Sequence, residues 1–359
     1  MTRRHFAGSY AQARSKFFAT AEAAGLAVQS HAHPLLGRDG ETLAMDVARF
    51  GAADAPALLV LSSGCHGVEG YCGSGVQNAL IADPGFHAAA ARAGVAVLYV
   101  HALNPYGFSW WRRVTHENVD LNRNWHDFSR PLPKNEAYDA IAHLLVPPTW
   151  PPAPEVEAAI GAFVAQHGER ALQAAVSAGQ YDHPQGLFFG GRDPTWSQQT
   201  LRHVLQEHGR RCQRLGWVDL HTGLGPPGHG ERIFAARDDA ATLARARAWW
   251  GPSVTSIYDG SSTSALISGM MFNAAYEECA QAEYTGIALE YGTVPMAETI
   301  AALRGEQWLE NHPEAGAAQR DAIKRRMLAA FYTDTDEWKQ RVVEQGFDAA
   351  RQAIAGLAR

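Results

Sequence analysis

Residues 58–75 read LLVLSSGCHGVEGYCGSG, and this stretch does most to decide the fold. Its apolar start predicts a buried strand that ends in two serines and a glycine. His66 follows directly, and Glu69 lies three residues further along the chain. Because functional groups in an α/β sheet collect just beyond the carboxyl ends of strands, we predict that His66 and Glu69 share a tight turn there. In such a turn the two side chains can point the same way and bind one cation.

Beyond this stretch, short apolar runs alternate with longer segments of helical pattern. Strands are predicted at residues 43–50, 57–62, 95–101, 217–221, 232–236 and 286–291. Helices are predicted at residues 73–82, 155–167, 197–215, 240–250, 296–310, 317–331 and 337–355. Strands that alternate with helices are typical of α/β proteins. We therefore predict a three-layer sandwich with a mixed, mostly parallel twisted sheet flanked by helices.

The composition of the chain argues against several classes of protein. The chain has 359 residues, 46% of them hydrophobic, which is enough for one large core. A formal net charge of -6 gives no basic field for nucleic acid. The sequence contains neither an apolar run long enough to span a membrane nor a signal-peptide pattern at its start. The four cysteines form no CxxC pair and are too few for a disulfide scaffold, so a reducing cytoplasm is expected.

The chain is expected to form one catalytic domain over residues 1–359. A proline cluster at residues 147–154 could mark a domain boundary. However, the sequence motifs lie on both sides of it and must meet in space, so a rigid crossing within one domain is favoured. Residues 128–214 exceed what the core needs, and we expect them to contain an elaboration over the cleft. Oligomeric state cannot be deduced from this sequence.

A second apolar segment, WVDLHTGLG at residues 217–225, also ends on a histidine, His221. Asp219 lies two residues earlier on the same side of the strand, where it could orient that histidine. Residues 223–228 superficially match the GxGxxG dinucleotide pattern. Pro226 and Pro227 stand inside that pattern and remove backbone N–H groups that a pyrophosphate needs. We therefore reject a nucleotide site here.

A third segment, IALEYGT at residues 287–293, places Glu290 near the end of an apolar strand. Burial of a carboxylate is costly unless the group is paired, protonated or catalytic. A salt-bridged glutamate at a strand end and a catalytic carboxylate both fit this pattern.

The fourth segment, residues 101–125, reads HALNPYGFSWWRRVTHENVDLNRNW. It embeds Arg112, Arg113, Asn122 and Arg123 among apolar and aromatic residues. Guanidinium groups match carboxylates in a planar fork, so these residues could bind an acidic ligand. Alternatively, the arginines could form a structural network with nearby acids, namely Asp120, Glu117 and Asp127.

Together, the segments supply a full set of groups for metal-assisted amide hydrolysis. His66, Glu69 and His221 form the two-nitrogen, one-oxygen set that is typical of catalytic zinc, which leaves a fourth position open. Glu290 could serve as a general base, and the arginines could bind an anion and a developing oxyanion.

The order and content of these motifs resemble the zinc carboxypeptidases of the carboxypeptidase A type over residues 40–300. Within that family the chain is similar to a bacterial branch labelled as a domain of unknown function. HGVEG matches the first zinc motif, which implies that His66 and Glu69 are ligands. DLHTG implies that His221 is the third ligand of one Zn²⁺ per chain, and ALEYG implies that Glu290 is the general base.

The central motif implies the remaining roles. Counted back from the DLNR stretch, Arg113 matches the arginine that polarises the scissile carbonyl, with Arg112 as the second choice. Asn122 and Arg123 match the pair that binds the terminal carboxylate of the substrate. Tyr258, in SIYDGSS, resembles the tyrosine of a mobile loop but lies farther upstream of the base than in the family.

The resemblance implies hydrolysis of a small peptide with a free C-terminus. Deacylases such as aspartoacylase and succinylglutamate desuccinylase share the HxxE, DLNR and DLHT motifs, so an N-acyl amino acid is the alternative substrate. A third interpretation is a non-catalytic protein that binds a carboxylated ligand. Neither nucleic acid nor a membrane is expected as a partner.

Overall fold

The computed structural model describes residues 2–359, which form one seven-stranded sheet with helices on both of its faces. The strands are β1 (Val28–Leu36), β2 (Thr42–Phe50), β3 (Ala57–Ser63), β4 (Val95–His101), β5 (Arg214–Pro227), β6 (Gly230–Phe234) and β7 (Glu283–Gly292). Their order across the sheet is β1-β2-β4-β3-β5-β7-β6. The four neighbouring strands β4, β3, β5 and β7 are parallel, whereas β1, β2 and β6 pair antiparallel. The predicted mixed α/β sheet is confirmed, and its parallel part is the centre.

Thirteen α-helices surround the sheet in the described part of the chain. They are α1 (Tyr10–Ala23), α2 (Gly70–Ile81), α3 (Pro84–Arg92), α4 (Pro105–Trp110), α5 (Glu136–Leu145), α6 (Pro154–His167), α7 (Glu169–Ser177), α8 (Trp196–Gly209), α9 (Ala240–Trp250), α10 (Asn273–Glu278), α11 (Met296–Asn311), α12 (Ala317–Phe331) and α13 (Asp336–Leu357). Short 3-10 turns add Thr2–His5, Gly67–Glu69 and Leu121–Arg123.

Adjacent residues of β5 show how the helices form two layers. Gly216 packs against Leu357 of α13, and the next residue, Trp217, stacks edge-on with Phe272 beside α10. Because successive side chains of a strand point to opposite faces, α13 and α10 lie on opposite sides of the sheet. This is the three-layer arrangement that the alternating sequence pattern predicts.

Several local features differ from the predictions. The strand predicted at 217–221 runs from Arg214 to Pro227, and helices α3, α4, α5, α7 and α10 were not predicted. Strand β1 was not predicted, because its sequence VQSHAHPLL is polar and most of it is half-buried or exposed at the sheet edge. The helix predicted at 197–215 ends instead at Gly209. A side chain at Gly209 would collide with the sulfur of Cys279, 2.5 Å from the Cβ position, and the chain then enters β5 at Arg214.

Above the C-terminal ends of the central strands lies a second apolar core, separate from the one on the sheet. Its buried members come from the Gly67–Glu69 turn, from α5, α7 and the segment after α7, and from α11 and α12: Val68, Tyr138, Ile141, Leu145, Ala175, Val176, Leu187, Phe188, Ala302, Leu303, Met327, Ala330 and Phe331. We call these residues the roof core. Within residues 2–359, no helix combines the length and apolar character needed to cross a membrane.

Candidate metal centre

Three side chains converge just beyond the end of β3, and one of them, His221, comes from within β5. The chain leaves β3, and the Gly67–Glu69 turn then carries His66 and Glu69 to the same side. Nδ1 of His66 lies 2.9 Å from Oε1 of Glu69, and Nδ1 of His221 lies 3.1 Å from Oε2 of the same carboxylate. The two Nδ1 atoms are 3.3 Å apart. The structure therefore brings together the three residues predicted as metal ligands, each offering one donor atom.

A glycine is required inside this turn. A Cβ at Gly67 would lie 2.1 Å from the backbone carbon of Gly107. The N–H groups of Gly67 and Val68 donate to the carbonyls of Arg113 and Arg112, at 3.0 and 2.8 Å. The turn between the two predicted ligands is thus hydrogen-bonded directly to the arginine segment.

Each histidine has a carboxylate behind its second ring nitrogen. Nε2 of His221 contacts the carboxylate of Asp219, and Nε2 of His66 lies 3.3 Å from Oδ1 of Asp120. Asp219 is itself held by a hydrogen bond of 2.5 Å from the hydroxyl of Ser62. Carboxylates in this position fix the ring orientation of metal-binding histidines and raise their basicity. Both rings are therefore oriented with Nδ1 toward Glu69.

The chemistry of this donor set fits zinc. Two neutral imidazole nitrogens and one carboxylate are a common zinc-binding set, and it leaves one position for water or substrate. Although burial alone would raise the pKa of Glu69, the two neighbouring histidines hold that pKa below its usual range. The carboxylate of Glu69 is therefore ionised.

Glu290 lies beside the three predicted ligands on the adjacent strand. It pairs in register with His221 across β5 and β7, and it is buried. The N–H of Leu224 donates to its Oε1 at 3.1 Å. Within residues 2–359 no lysine, arginine or histidine forms a salt bridge with Glu290, so the salt-bridged alternative does not apply. Burial, together with the charge of Glu69, raises the pKa of Glu290 to about 8.

Both interpretations of the arginines, a structural network and a ligand-binding role, are compatible with the position of Arg113. Its Nε donates to Asp120 at 2.9 Å, which is the structural network, and its side chain also lines the cavity beside the metal centre. One guanidinium nitrogen lies 2.7 Å from Nε2 of His66, and another donates to Oε1 of Glu69 at 3.3 Å. Arg113 can therefore reach a group bound at the metal centre.

Asn122 and Arg123 lie in the Leu121–Arg123 turn, which Asp120 caps by accepting from the N–H of Asn122 at 2.9 Å. Both side chains line the same cavity. The guanidinium of Arg123 donates to the carbonyl of Ser177, and the Asn122 side chain accepts from the N–H of Met271 at 3.0 Å. Irregular backbone thus lets two adjacent residues face one site, as their predicted role requires.

The structure does not bring the other two predicted substrate-binding residues to this cavity. Arg112 points away, with Nε donating to Glu306 of α11 at 2.8 Å and a second nitrogen donating to Asn118 at 3.0 Å. The hydroxyl of Tyr258 donates to the carbonyl of Ala236 at 2.9 Å. Neither side chain lines the cavity. Adjacent residues such as Arg112 and Arg113 diverge, and the α11 carboxylate holds Arg112 in its place.

Two residues of the site have roles that the sequence motifs did not predict. Asp120 was considered only as an arginine partner, yet it also contacts His66. Phe188 lies in the 128–214 segment, and its ring packs 4.9 Å from the guanidinium carbon of Arg113 and 5.5 Å from that of Arg123. Phe188 has a φ of 52°, a region that favours glycine. The only signal for it in the sequence is the aromatic and glycine-rich run around it.

The rest of the cavity wall is mostly apolar. One part comes from β6, β7 and the loop between α9 and α10: Ile233, Phe234, Ala235, Ile257, Ser264, Ile267, Met270, Phe272 and Ala288. A second part comes from the end of β5 and from α11 and α12: Thr222, Gly223, Leu224, Met296, Thr299, Ile300, Leu303 and Phe331. The 128–214 segment adds Gln173, Val176, Ser177 and Phe188. Metal centre, arginines and apolar walls thus enclose one space.

Residues 6–345 match the model of a family described as a protein of unknown function, DUF2817. No curated protein sequence matches the chain. Solved structures with a similar fold include carboxypeptidase A from Helicoverpa armigera, at 12% identity, a TM-score of 0.39 and coverage of 90% of this chain and 73% of that one. Thrombin activatable fibrinolysis inhibitor is 10% identical, with a TM-score of 0.48, and the match covers 95% of this chain and 78% of that one. A metallo-carboxypeptidase from Burkholderia cenocepacia is 12% identical, with a TM-score of 0.37, and the match covers 89% of this chain and 67% of that one.

Proposed function

The chain belongs to the DUF2817 family, and we propose that it is a zinc-dependent hydrolase that cleaves an amide bond in a substrate bearing a free carboxylate. The observation that carries this proposal is the convergence of His66, Glu69 and His221 beside Glu290, a buried carboxylate that forms no salt bridge within the described residues. A buried carboxylate that lies beside a metal-binding set and has no salt-bridge partner is suited to proton transfer.

His66, Glu69 and His221 would hold one zinc ion per chain. Bound zinc supplies two kinds of chemistry, because it lowers the pKa of a bound water and polarises a carbonyl oxygen. Asp219 and Asp120 keep the two imidazoles in the orientation that presents Nδ1.

The other residues of the cavity have separate roles in hydrolysis. Glu290 accepts the proton of the attacking water and passes it to the leaving nitrogen. The guanidinium of Arg113 donates hydrogen bonds to the oxyanion that develops on the substrate carbonyl. Asn122 and Arg123 bind the free carboxylate and so hold the scissile bond beside Glu290.

Two substrate classes meet this description. In a peptide with a free C-terminus, Asn122 and Arg123 would bind the terminal carboxylate, as in a metallocarboxypeptidase. In an N-acyl amino acid, they would bind the carboxylate of the amino acid, as in a deacylase. The catalytic groups alone fit both.

Metal content tests the proposal first. Purified protein, loaded with zinc and dialysed, should contain about one equivalent by elemental analysis, and His66→Ala should lose it. His143→Ala, at an exposed position of α5, is the matched control and should keep the metal. Protein that stays free of metal under zinc-replete conditions would contradict the hydrolase and favour a non-catalytic binder of carboxylated ligands.

A further inference from the structure

The roof core covers the metal centre. Val68, which lies between the predicted ligands His66 and Glu69, is itself a member of this core and is fully buried. Phe188, Leu303 and Phe331 belong to the same core and also line the cavity. The wall of the cavity is therefore the underside of a packed hydrophobic core, which resists opening because its side chains are close-packed.

Polar contacts join the two parts of the roof, α5–α6 and α11. Arg304 of α11 donates to the carbonyls of Leu144 and Leu145 at the end of α5, at 2.9 and 3.0 Å, and to Glu157 of α6 at 2.9 Å. Trp308 of α11 donates to the carbonyl of Pro148. The elaboration in residues 128–214 and the α11–α12 pair thus form one continuous cover.

The same cover is fastened to the metal-centre strands. The hydroxyl of Thr222, which follows the ligand His221, donates to the carbonyl of Phe331 at 2.7 Å. Thr293, at the end of β7, donates to the carbonyl of Ala330 at 2.6 Å. Glu69, His221 and His66 are only 1%, 3% and 4% exposed. The three predicted ligands are therefore buried beneath this cover and line the cavity below it.

The partly exposed residues of the cavity wall show where a ligand enters. Most of them are apolar: Leu224, Ile267, Met270, Ala288, Met296 and Ile300. The polar ones are Arg113, Ser177 and Ser264. The opening is therefore mostly apolar, which favours a ligand that presents apolar groups to it.

The charges inside the cavity decide between the two substrate classes. Its ionisable wall residues are His66, Glu69, Arg113, Arg123, His221 and Glu290. Both carboxylates belong to the metal centre or to proton transfer, so neither remains for a substrate ammonium. A dipeptide would bury its N-terminal ammonium without a partner, whereas an acyl group carries no charge.

We infer that the substrate is a single amino acid with an apolar side chain, carrying a short apolar acyl group on its nitrogen. This inference rests on the proposed function and names its substrate. Water adds across the amide, the C–N bond breaks, and the nitrogen takes the proton from Glu290. The products are a free amino acid and a short carboxylic acid. The carboxylate lies on Asn122 and Arg123, and both apolar groups lie against the apolar walls.

A substrate series with one common residue tests this. The zinc-loaded protein is assayed with N-acetyl-, N-butyryl- and N-hexanoyl-phenylalanine, with Ala-Phe, and with acetyl-Ala-Ala-Phe. We expect kcat/KM for the best acyl compound to exceed that for Ala-Phe by at least roughly 100-fold, because an unpaired buried ammonium is rejected strongly. N-acetyl-aspartate should be rejected similarly, since its second carboxylate has no cationic partner in the apolar walls.

Two substitutions make the series diagnostic. Ile300→Asp places a carboxylate in the α11 wall, and it should lower activity on acyl-phenylalanine and raise activity on Ala-Phe. Leu266→Asp is the control, since Leu266 is 57% exposed and does not line the cavity. Calorimetric binding of N-butyryl-phenylalanine to Glu290→Gln protein gives a second readout that needs no turnover.

The outcomes separate the inference from the proposed function. Acetyl-Ala-Ala-Phe or Ala-Phe cleaved as well as the acyl compounds would overturn the inference and leave the hydrolase standing. Preferred cleavage of N-acetyl-aspartate would overturn the apolar part of it in the same way. Zinc-containing protein that neither cleaves nor binds any compound of the series would overturn the proposed function itself.

Discussion

The carboxylate of Asp120 lies 3.3 Å from Nε2 of His66, on the side of the ring away from Glu69. The same carboxylate accepts from Nε of Arg113 at 2.9 Å and from the N–H of Asn122 at 2.9 Å. One buried acid therefore contacts a predicted metal ligand, a predicted oxyanion donor and the turn that carries the predicted carboxylate-binding pair.

Asp120→Asn should weaken zinc binding by about 10- to 100-fold, which is the usual effect of losing the partner behind a ligating histidine. Competition with a chelator of known zinc affinity measures this. Asp127→Asn, at an exposed position, should leave zinc affinity unchanged. Equal affinities in the two variants would show that Asp120 does not support the metal centre.

Glu290→Gln should lower kcat by roughly 10²- to 10⁴-fold, which is the range for a lost general base, while zinc stays bound. Single-turnover kinetics and elemental analysis on the same sample measure both. Glu283→Gln is the matched control, because Glu283 begins the same strand but is exposed. Full activity in Glu290→Gln would contradict proton transfer by this residue.

Phe188→Leu should lower kcat/KM about 10-fold without loss of zinc, because its ring packs against both Arg113 and Arg123 and contributes on the order of 1 kcal/mol to their placement. A normal zinc content together with a reduced kcat/KM identifies a positioning role. Phe18→Leu removes a similar ring contact with Arg14, far from the cavity, and should have no effect on catalysis. Unchanged kinetics in Phe188→Leu would argue against it.

Arg304→Leu should lower the free energy of unfolding by about 2 kcal/mol, because the buried carbonyls of Leu144 and Leu145 lose their donor. Limited proteolysis should then cut first within residues 146–168, where the roof is released. Denaturant unfolding with Arg325→Leu, an exposed residue of α12, provides the control. Identical unfolding midpoints would show that Arg304 does not hold the roof.

The folded state should become less stable in acid because His101 is buried in its neutral form. Its burial lowers its pKa to about 4, so the unfolded chain binds a proton below about pH 6.5 that the folded chain excludes. The full contribution of His101 to the free energy of unfolding is therefore present above about pH 6.5. As the pH falls toward 4, this contribution is lost, by about 3 kcal/mol in all. His101→Gln should flatten the pH dependence of unfolding in this window, and an unchanged slope would assign the acid sensitivity to other groups.

Much of the fold could be predicted because its signals are local. β3, β4 and α9 occupy the predicted ranges to within one residue, since each is an apolar run or a periodic segment bounded by clear stop signals. β1 could not be predicted, because a half-exposed edge strand with a proline lacks that pattern. α8 ends at Gly209 and the chain enters β5 at Arg214, whereas the sequence predicted a helix through residue 215 and a strand from residue 217.

The sequence by itself determined which side chains could form the centre, because His66, His221 and Glu290 stand at the ends of apolar strands and strand ends of a parallel sheet meet at one edge. Only the tertiary structure decided that Arg113 faces the cavity while Arg112 turns to Glu306, that Asp120 lies behind His66, and that a second core covers the site. Those contacts join segments far apart in the chain, and their partners are selected by packing, which leaves no periodic trace in either segment.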